Sequence, residues 1–355
     1  EEWDMLEEYA RVYGMLGDEI SRDIYLHRIN YLVSGDYRYI KEMITAYIPN
    51  LKPLGGKTME ELRAALPEDR QIVLYGAGAL GRELLPQWEH DGRFLGFCSR
   101  TRKKQEEGYL GFPCMSPEEL LRRKDLTVII SARWNYDEIL RRLREGGYPE
   151  NLIFDVKGIY MEDLPGQYFD LEHLTFGENE VLLDVGCLDL NSALKFRECC
   201  GSVKKVYCFE PDPKSYAVCL EKKERTGFSE AELLPLGAWS HRTELSFDAT
   251  GIGVSHVQES GGIRIPVVPI DEVVDPADRV MMIKMDIEGA ELEALRGAKQ
   301  VIRRDKPKMA VSMYHKPEDL TELPLYIKEL VPEYRLYIRH YSNYINETVL
   351  YAVMP

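Results

Sequence analysis

Two carboxylates and one histidine follow neighbouring apolar runs in the C-terminal half of the chain. Asp286 and Glu288 stand at the end of the run at residues 280–286, and His315 follows the run at 308–313. Because the carboxyl ends of parallel strands meet at one edge of a sheet, we expect the three side chains to lie close together. A carboxylate can orient an imidazole, and an imidazole with an ordinary pKa of about 6.5 can accept a proton from a hydroxyl at neutral pH.

This pattern predicts a proton-transfer site, but simpler interpretations stay open. Asp286 and Glu288 could be acids that cap the helix after the strand, where a negative charge favours the helix dipole. His315 could be an ordinary surface histidine.

A second group of residues predicts a ligand site at the same edge. Asp184 and Gly186 stand where the run at residues 181–184 turns into a helix, and a glycine there lets the backbone approach a bound group. Glu210 follows the next run, at 205–209, where its carboxylate can accept hydrogen bonds from both hydroxyls of a ribose. These positions predict a ribose-containing ligand.

Four strings in this half of the chain resemble the signatures of FkbM-type methyltransferases. They are IKMDIEGAE at residues 283–291, FEP at 209–211, YHK at 314–316 and ETVLYA at 347–352. The resemblance covers about residues 170–355. It implies a class I methyltransferase fold with a seven-stranded sheet, S-adenosylmethionine as cofactor, and methylation of a hydroxyl oxygen, often on a sugar, glycan or secondary metabolite.

The resemblance also implies which residues form the site. The cofactor would contact Asp184, Gly186, Cys187, Asp189, Glu210, Gly237, Ala238 and Asp286. Within this set Glu210 would hold the ribose, and Gly237 and Ala238 would pass the adenine. The catalytic residues would be His315 as the base, with Asp286 and Glu288 orienting the imidazole or holding the acceptor. No metal is required, although the carboxylates could hold one.

One position departs from the family pattern. Leu190 stands where the family has a second glycine, and its side chain could crowd the methionine part of the cofactor. Asp189, Asn191 and Ser192 are polar enough to bind that part in another way. A binding or scaffold protein that has lost its cofactor therefore remains an alternative.

The elements that must position these residues form an alternating series of strands and helices. Five strands are expected at residues 181–184, 205–209, 232–236, 280–286 and 308–313, followed by an antiparallel hairpin at 334–339 and 348–353. This order predicts an α/β fold with a seven-stranded sheet, in which the last strand is antiparallel and inserted between its neighbours.

A smaller α/β series precedes it and opens with another glycine-rich loop. Residues 76–81, GAGALG, directly follow the β-branched run at 72–75, as in a Rossmann-like dinucleotide site. The second strand ends without the acid that would hold a ribose, although Arg100 and Arg102 could hold a 2′-phosphate. An NADP-linked oxidoreductase is therefore one alternative, and a docking or oligomerisation module is another.

Composition sets the broad class of the protein. The 355 residues are expected to form a helical region at 1–66, a Rossmann-like domain at 67–157, a linker at 158–179 and the methyltransferase domain at 180–355.

A net charge of -15 disfavours a nucleic-acid partner, and apolar runs far below the ~20 residues of a membrane span disfavour a membrane protein. Seven cysteines without a CxxC pair favour free thiols in the cytoplasm. The expected partners are a small-molecule or glycan acceptor and a second copy bound through the N-terminal domain.

Overall fold

The computed structural model describes residues 2–48, 58–132, 136–156, 167–247, 257–258, 263–342 and 345–355. Its contacts divide the chain into two compact units. The large unit comprises residues 1–48, 164–341 and 346–355, and the small unit comprises 49–163 and 342–345. The first part of the expected linker, at 158–166, lies outside the described residues.

Helices and strands alternate through most of the described chain. The helices are α1 (Glu2–Met15), α2 (Glu19–Ser34), α3 (Arg38–Tyr47), α4 (Met59–Ala65), α5 (Ala79–Trp88), α6 (Arg102–Glu107), α7 (Pro117–Arg122), α8 (Tyr136–Glu145), α9 (Asn191–Cys199), α10 (Pro213–Thr226), α11 (Glu291–Arg296), α12 (Lys299–Asp305) and α13 (Asp319–Leu330). The strands are β1 (Ile72–Tyr75), β2 (Phe94–Cys98), β3 (Cys114–Met115), β4 (Thr127–Ile130), β5 (Ile153–Asp155), β6 (Glu180–Val185), β7 (Val203–Phe209), β8 (Ala231–Leu234), β9 (Gly237–Ala238), β10 (Thr243–Phe247), β11 (Val257–Gln258), β12 (Ile263–Val268), β13 (Met282–Met285), β14 (Lys308–Ser312), β15 (Arg335–His340) and β16 (Thr348–Val353).

The large unit is built on a sheet of seven strands within the described residues. Their order is β15-β16-β14-β13-β6-β7-β8. Strand β16 lies between β14 and β15 and runs antiparallel to both, whereas the other pairs are parallel. Strands β6, β13 and β16 are buried at every position, because a sheet covered on both faces needs continuous apolar strands. The predicted seven-stranded sheet with an inserted last strand is confirmed.

The large unit contains a second sheet that the sequence did not predict. Its described strands pair in the order β11-β10-β12-β9. Gly237 and Ala238, expected beside an adenine, form β9 and pair in parallel with Val267 and Val268 of β12. A Cβ on Gly237 would come within 2.9 Å of Val267, so packing inside this sheet explains the glycine.

The N-terminal helices belong to the large unit, which corrects the expected region at 1–66. Residues 1–48 group with the seven-stranded sheet, whereas residues 58–66 group with the small unit. The physical reason is that the start of α2 covers the edge strand β15. Gly17 N donates to Leu336 O at 2.7 Å, and Ser21 Oγ accepts a hydrogen bond from Ile338 N at 2.8 Å. An edge strand has unpaired backbone groups, and this segment satisfies two of them.

The small unit contains a parallel sheet in the order β3-β2-β1-β4-β5. Its glycine-rich loop follows β1, between the two neighbours of that strand, where such sheets bind ligands. The loop residue Gly78 accepts a hydrogen bond at its carbonyl oxygen from Tyr109 OH at 3.1 Å. Arg100 pairs with Glu138 at 2.6 Å and Arg102 with Glu106 at 3.0 Å, so both expected phosphate ligands have carboxylate partners. A nucleotide here stays a prediction.

Within the described ranges, no helix combines the length and the apolar character that crossing a membrane would require.

Replacing Ser21 by alanine should destabilise the large unit. Ser21 and Ile338 are fully buried, so the variant leaves the Ile338 N–H without its partner. We expect a loss of about 1–3 kcal/mol in the free energy of unfolding, measured by chemical denaturation. Ser34→Ala, at the exposed end of the same helix, is the control and should change stability much less. Equal losses in both variants would show that α2 does not protect the edge strand.

Candidate functional site

The ends of β13 and β14 bring Asp286, Glu288 and His315 together. His315 Nε2 lies 3.4 Å from Asp286 Oδ1 and 3.7 Å from Glu288 Oε2. The imidazole is only 8% exposed, and the two carboxylates are 20% and 28% exposed. The expectation that these side chains are neighbours is confirmed.

Two residues with unusual backbone conformations allow this approach. Glu288 adopts a φ of 56°, which is uncommon for a residue with a side chain, and Gly289 adopts a φ of 93°. A Cβ on Gly289 would lie 2.8 Å from Lys316 Cε. The turn after β13 can therefore reach the loop after β14 because a glycine stands at this position.

A third carboxylate lies on the other side of the imidazole. His315 Nδ1 lies 3.0 Å from Glu291 Oε1, and Glu291 is fully buried at the start of α11. The same oxygen accepts a hydrogen bond from Ile287 N at 2.9 Å, which fixes the carboxylate in place. The imidazole thus presents Nδ1 to Glu291 and Nε2 to Asp286 and Glu288.

These carboxylates change the protonation of His315. Burial by itself would lower the pKa, but the negative charges of Glu291, Asp286 and Glu288 outweigh it and raise the pKa of His315 to about 10. With no other cation beside it, the imidazole is therefore protonated at neutral pH and has no lone pair to accept a proton. The ordinary pKa assumed for a base at this position is wrong for this arrangement.

The two partly exposed carboxylates, Asp286 and Glu288, differ in their pKa. Burial opposes the ionisation of Asp286, but His315, Lys284 and a hydrogen bond from Tyr168 overcome it and lower the pKa of Asp286. Glu288 lacks comparable support: burial, together with the neighbouring acids, raises its pKa to about 8 despite His315. Asp286 is thus the ionised carboxylate of the pair.

Sequence reasoning did not assign several residues that surround these groups. Tyr168 OH donates to Asp286 Oδ2 at 2.7 Å, and Tyr314 OH lies 3.4 Å from Glu347 Oε1. Tyr314, Glu347 and Glu291 all lie in the strings that carry the family resemblance, so the signal was available. Tyr168 had no such signal, because it lies in the segment interpreted as a linker.

Asp184 has a different place from the one expected. It is completely buried, with Oδ1 3.2 Å from Lys284 Nζ and Oδ2 accepting a hydrogen bond from Ser192 Oγ at 2.5 Å. Its assignment as a cofactor contact is therefore corrected to an internal ion pair. A Cβ on Gly186 would lie 2.0 Å from Asp286 O, so this glycine is required where the ends of β6 and β13 meet.

Cys187 and Asp189, which follow in the same segment, also form side-chain contacts within the protein. Cys187 is buried, with its sulfur 3.6 Å from that of Cys219, and Asp189 pairs with Lys222 at 2.9 Å. Neither side chain supports the expected cofactor contact. Leu190 has a φ of 67° and buries its side chain in the hydrophobic core, so it does not crowd a ligand. Its left-handed conformation is the one in which glycine is common.

Glu210 lies at the end of β7, as expected for an acid that holds a ribose. Its two oxygens accept hydrogen bonds from Leu188 N and Asp212 N, both at 2.9 Å. Burial raises the pKa of Glu210 to about 7, although the backbone hydrogen bonds from Asp212 and Leu188 oppose this shift. Binding of a ribose here stays a prediction.

Two surface cavities of about 560 Å³ each lie away from these residues. One is lined by residues that include Asp271 and Arg304, and the other by residues that include Arg11 and Tyr326. The convergence of side chains at the sheet edge, and not cavity size, therefore locates the candidate site.

Comparison with known proteins gives three findings. Residues 184–343 match the family model described as the methyltransferase FkbM domain. The hexuronic acid methyltransferase AglP of Haloferax volcanii is 30% identical over 128 residues, which are 34% of this chain and 50% of that protein. The chain thus spans about half the length of this curated relative. The crystal structure of methyltransferase FkbM from Methylobacillus flagellatus KT has a TM-score of 0.51 at 20% identity, covers 89% of this chain and 98% of its own, and shows a shared fold.

Replacing Lys284 by methionine should destabilise the large unit strongly. Lys284 is 4% exposed, and its removal leaves the buried Asp184 charge without its ion-pair partner. We expect a loss of about 3–5 kcal/mol in chemical denaturation, much of it recovered in the double variant Asp184→Asn/Lys284→Met. Lys195→Met, which removes an exposed ion pair with Glu198, is the control and should cost less than about 1 kcal/mol. A stable Lys284→Met variant would contradict the internal ion pair.

The titration of Glu210 should make stability depend on pH. Between its ordinary pKa of 4.5 and the raised value of about 7, the folded protein holds a proton that the unfolded chain releases. The free energy of unfolding should therefore decrease as the pH rises through this window. Glu210→Gln removes the effect, so the melting temperature of the variant minus that of the parent should increase from about pH 4.5 to about pH 8. A difference that is constant with pH would show that Glu210 titrates normally.

Proposed function

We propose that the protein transfers a methyl group from S-adenosylmethionine to a hydroxyl oxygen of a sugar or glycan. The match of residues 184–343 to the family model described as the methyltransferase FkbM domain supports the transfer of a methyl group. The observation that carries this proposal is the convergence of Asp286, Glu288 and His315 at the carboxyl edge of the sheet, the edge at which Glu210 also ends its strand. The carboxylate of Glu210 suits a ribose. The set of Asp286, Glu288 and His315 suits a hydroxyl that must lose its proton.

Glu210 would hold the cofactor at its ribose. Each oxygen of this carboxylate accepts one backbone N–H, and a carboxylate oxygen can accept a second hydrogen bond from a ribose hydroxyl. S-adenosylmethionine would supply an electrophilic methyl carbon on a positively charged sulfur. The ionised carboxylate of Asp286, one strand from Gly186, favours a positive charge at this edge. The main chain at Gly237 and Ala238 keeps its proposed place beside the adenine. The fully buried side chain of Asp184 leaves the set of contacts, and contacts of Cys187 and Asp189 with the cofactor stay a prediction.

The acceptor hydroxyl would bind on the side of Asp286, Glu288 and His315. Displacement at the methyl carbon requires the attacking oxygen to be held in line, which is a task of orientation. Asp286 is suited to it, because Tyr168 and Tyr314 restrain its carboxylate and leave it ionised. The hydroxyl proton must leave through these groups or through water. The protonated imidazole would orient Asp286 and Glu288 but would not itself be the base.

A sugar is the acceptor that the relative favours. The similar protein from Haloferax volcanii is a methyltransferase of hexuronic acid, although the match covers half of that protein. Sugars offer neighbouring hydroxyls, and carboxylates are the groups that accept hydrogen bonds from them. The oxidoreductase and scaffold alternatives have no observation in their favour that compares with this convergence.

The test combines cofactor binding with product analysis. The protein is titrated with S-adenosylmethionine by calorimetry, then incubated with it and glycosides of hexuronic acids and neutral sugars. Formation of S-adenosylhomocysteine is followed by mass spectrometry, and the new methyl group is assigned to oxygen by NMR. Absence of cofactor binding would contradict the proposal, as would a methyl group attached to carbon.

Two variants separate the two halves of the proposed site. Glu210→Ala should weaken cofactor binding by about 1.5–3 kcal/mol, or about ten- to a hundredfold, because charge-assisted hydrogen bonds are lost. Asp286→Asn should lower turnover by a larger factor than the factor by which it weakens cofactor binding. Glu221→Ala, on the exposed face of α10, is the control for both measurements. A Glu210→Ala protein that binds as tightly as the parent would refute the ribose assignment.

A further inference from the structure

His315 has a ring nitrogen that faces two carboxylates without bonding to either. Its side chain is 8% exposed, and Nε2 forms no hydrogen bond with any residue that the structure describes. The nearest carboxylate oxygens, of Asp286 and Glu288, lie at 3.4 and 3.7 Å. Hydrogen bonds to a ring nitrogen are shorter, at about 2.7–3.2 Å. The nitrogen therefore faces both carboxylates at distances longer than a hydrogen bond.

The spacing of these atoms suits a shared cation. The three ligand atoms all lie within 4.8 Å of one another. Neighbouring ligands of an octahedral ion, each at about 2.1 Å from it, are about 3 Å apart. The distances from His315 Nε2 to the two carboxylate oxygens, 3.4 and 3.7 Å, exceed this value by less than 1 Å. Side-chain rotations would therefore bring the three atoms around an ion.

Two of the three ligands, His315 and Asp286, are also oriented by a partner on the side away from the proposed ion. Glu291 Oε1, 3.0 Å from His315 Nδ1, favours the tautomer with its proton on Nδ1, which leaves the lone pair of Nε2 free for a metal. Tyr168 OH holds Oδ2 of Asp286, so that Oδ1 is the oxygen towards Nε2. Carboxylate–histidine–metal arrangements have this form, in which an outer partner orients each ligand.

The opposite side of the imidazole does not offer an equivalent site. Glu291, His315 and Asp319 form a second group of ligand atoms within 4.8 Å. There, however, Nδ1 already contacts Glu291 at 3.0 Å, and Asp319 Oδ2 accepts a hydrogen bond from Lys316 N at 2.8 Å. Glu291 Oε1 also accepts a hydrogen bond from Ile287 N at 2.9 Å. Both carboxylates on this side are thus already bonded to backbone N–H groups, so the Nε2 side is favoured.

We propose that Asp286, Glu288 and His315 bind one divalent cation of the Mn²⁺ type. Two carboxylate oxygens suit Mg²⁺ and Mn²⁺, and the imidazole nitrogen favours the transition metal of the two. Three protein ligands leave further positions for water or for a hydroxyl of the acceptor. The ion takes the place of the proton on Nε2 and neutralises the excess negative charge of the surrounding acids.

This site deepens the proposed function and rests on it only for its role in the reaction. A hydroxyl bound to the ion loses its proton to solvent water more readily than a free hydroxyl, because the cation stabilises the oxyanion. The ion would therefore activate the acceptor hydroxyl directly. Binding of the metal itself does not depend on methyl transfer and can be measured separately.

The experiment measures Mn²⁺ binding directly. The full chain is treated with EDTA, exchanged into metal-free buffer and titrated with Mn²⁺, whose free form is quantified by electron paramagnetic resonance. We expect one equivalent to bind to the parent. Glu288→Gln and His315→Ala should each weaken binding at least about tenfold, and Glu291→Gln should weaken it about ten- to a hundredfold through the orientation of the imidazole. Glu322→Gln, an exposed acid on α13, is the control and should bind as the parent does.

Circular dichroism and melting temperature identify any variant that fails to fold, and Glu288→Gln, which nearly preserves shape, keeps the test decisive. Absence of stoichiometric binding to the parent overturns the site, as does binding that Glu288→Gln and His315→Ala leave unchanged. Methyl transfer that persists in EDTA overturns the role of the ion in the reaction and leaves the proposed function intact. Mn²⁺ binding at these residues without any methyl transfer supports the site and refutes the function.

Discussion

The ammonium group of Lys284 connects the two central strands directly beneath the candidate site. It lies 3.2 Å from Asp184 of β6, donates to Gly186 O at 2.5 Å, and lies 5.3 Å from the centre of the Tyr168 ring. Tyr168 in turn donates to Asp286. A buried charge is tolerated only where its partners are complete, so this set of contacts has little freedom to rearrange. The positions of the glycine turn and of the Asp286 carboxylate are thereby coupled through one side chain.

The site itself concentrates negative charge. Asp286, Glu288 and Glu291 surround one imidazole, and the result is a raised pKa for both His315 and Glu288. Such an arrangement costs stability unless a cation compensates for it, and perturbed carboxylates of this kind are common where function requires them. A sulfonium, a metal ion and the imidazolium proton are three ways to supply the same positive charge. The proposed cofactor and the proposed metal site are therefore physically related.

In the segment at residues 184–190, the residue types fit the family pattern for a reason other than contact with a cofactor. Gly186 is needed because a side chain there would collide with the carbonyl of Asp286, and Asp184 is needed to neutralise Lys284. Leu190 adopts the left-handed conformation that glycine favours and contributes its side chain to the core. This motif thus shapes the edge of the sheet, while Glu210 is the side chain placed to meet a ligand.

The sequence by itself determined the seven-stranded sheet, its inserted last strand and the meeting of Asp286, Glu288 and His315. These follow from local properties: apolar runs define strands, and the carboxyl ends of parallel strands share an edge. Tertiary structure alone decided the burial of Asp184, the charge on His315, the contact of Tyr168 and the packing of α2 on β15. Burial and electrostatics depend on residues far apart in the chain; Tyr168 and Asp286, for example, are 118 positions apart. The local sequence around either residue does not indicate that the two side chains are in contact in the folded chain.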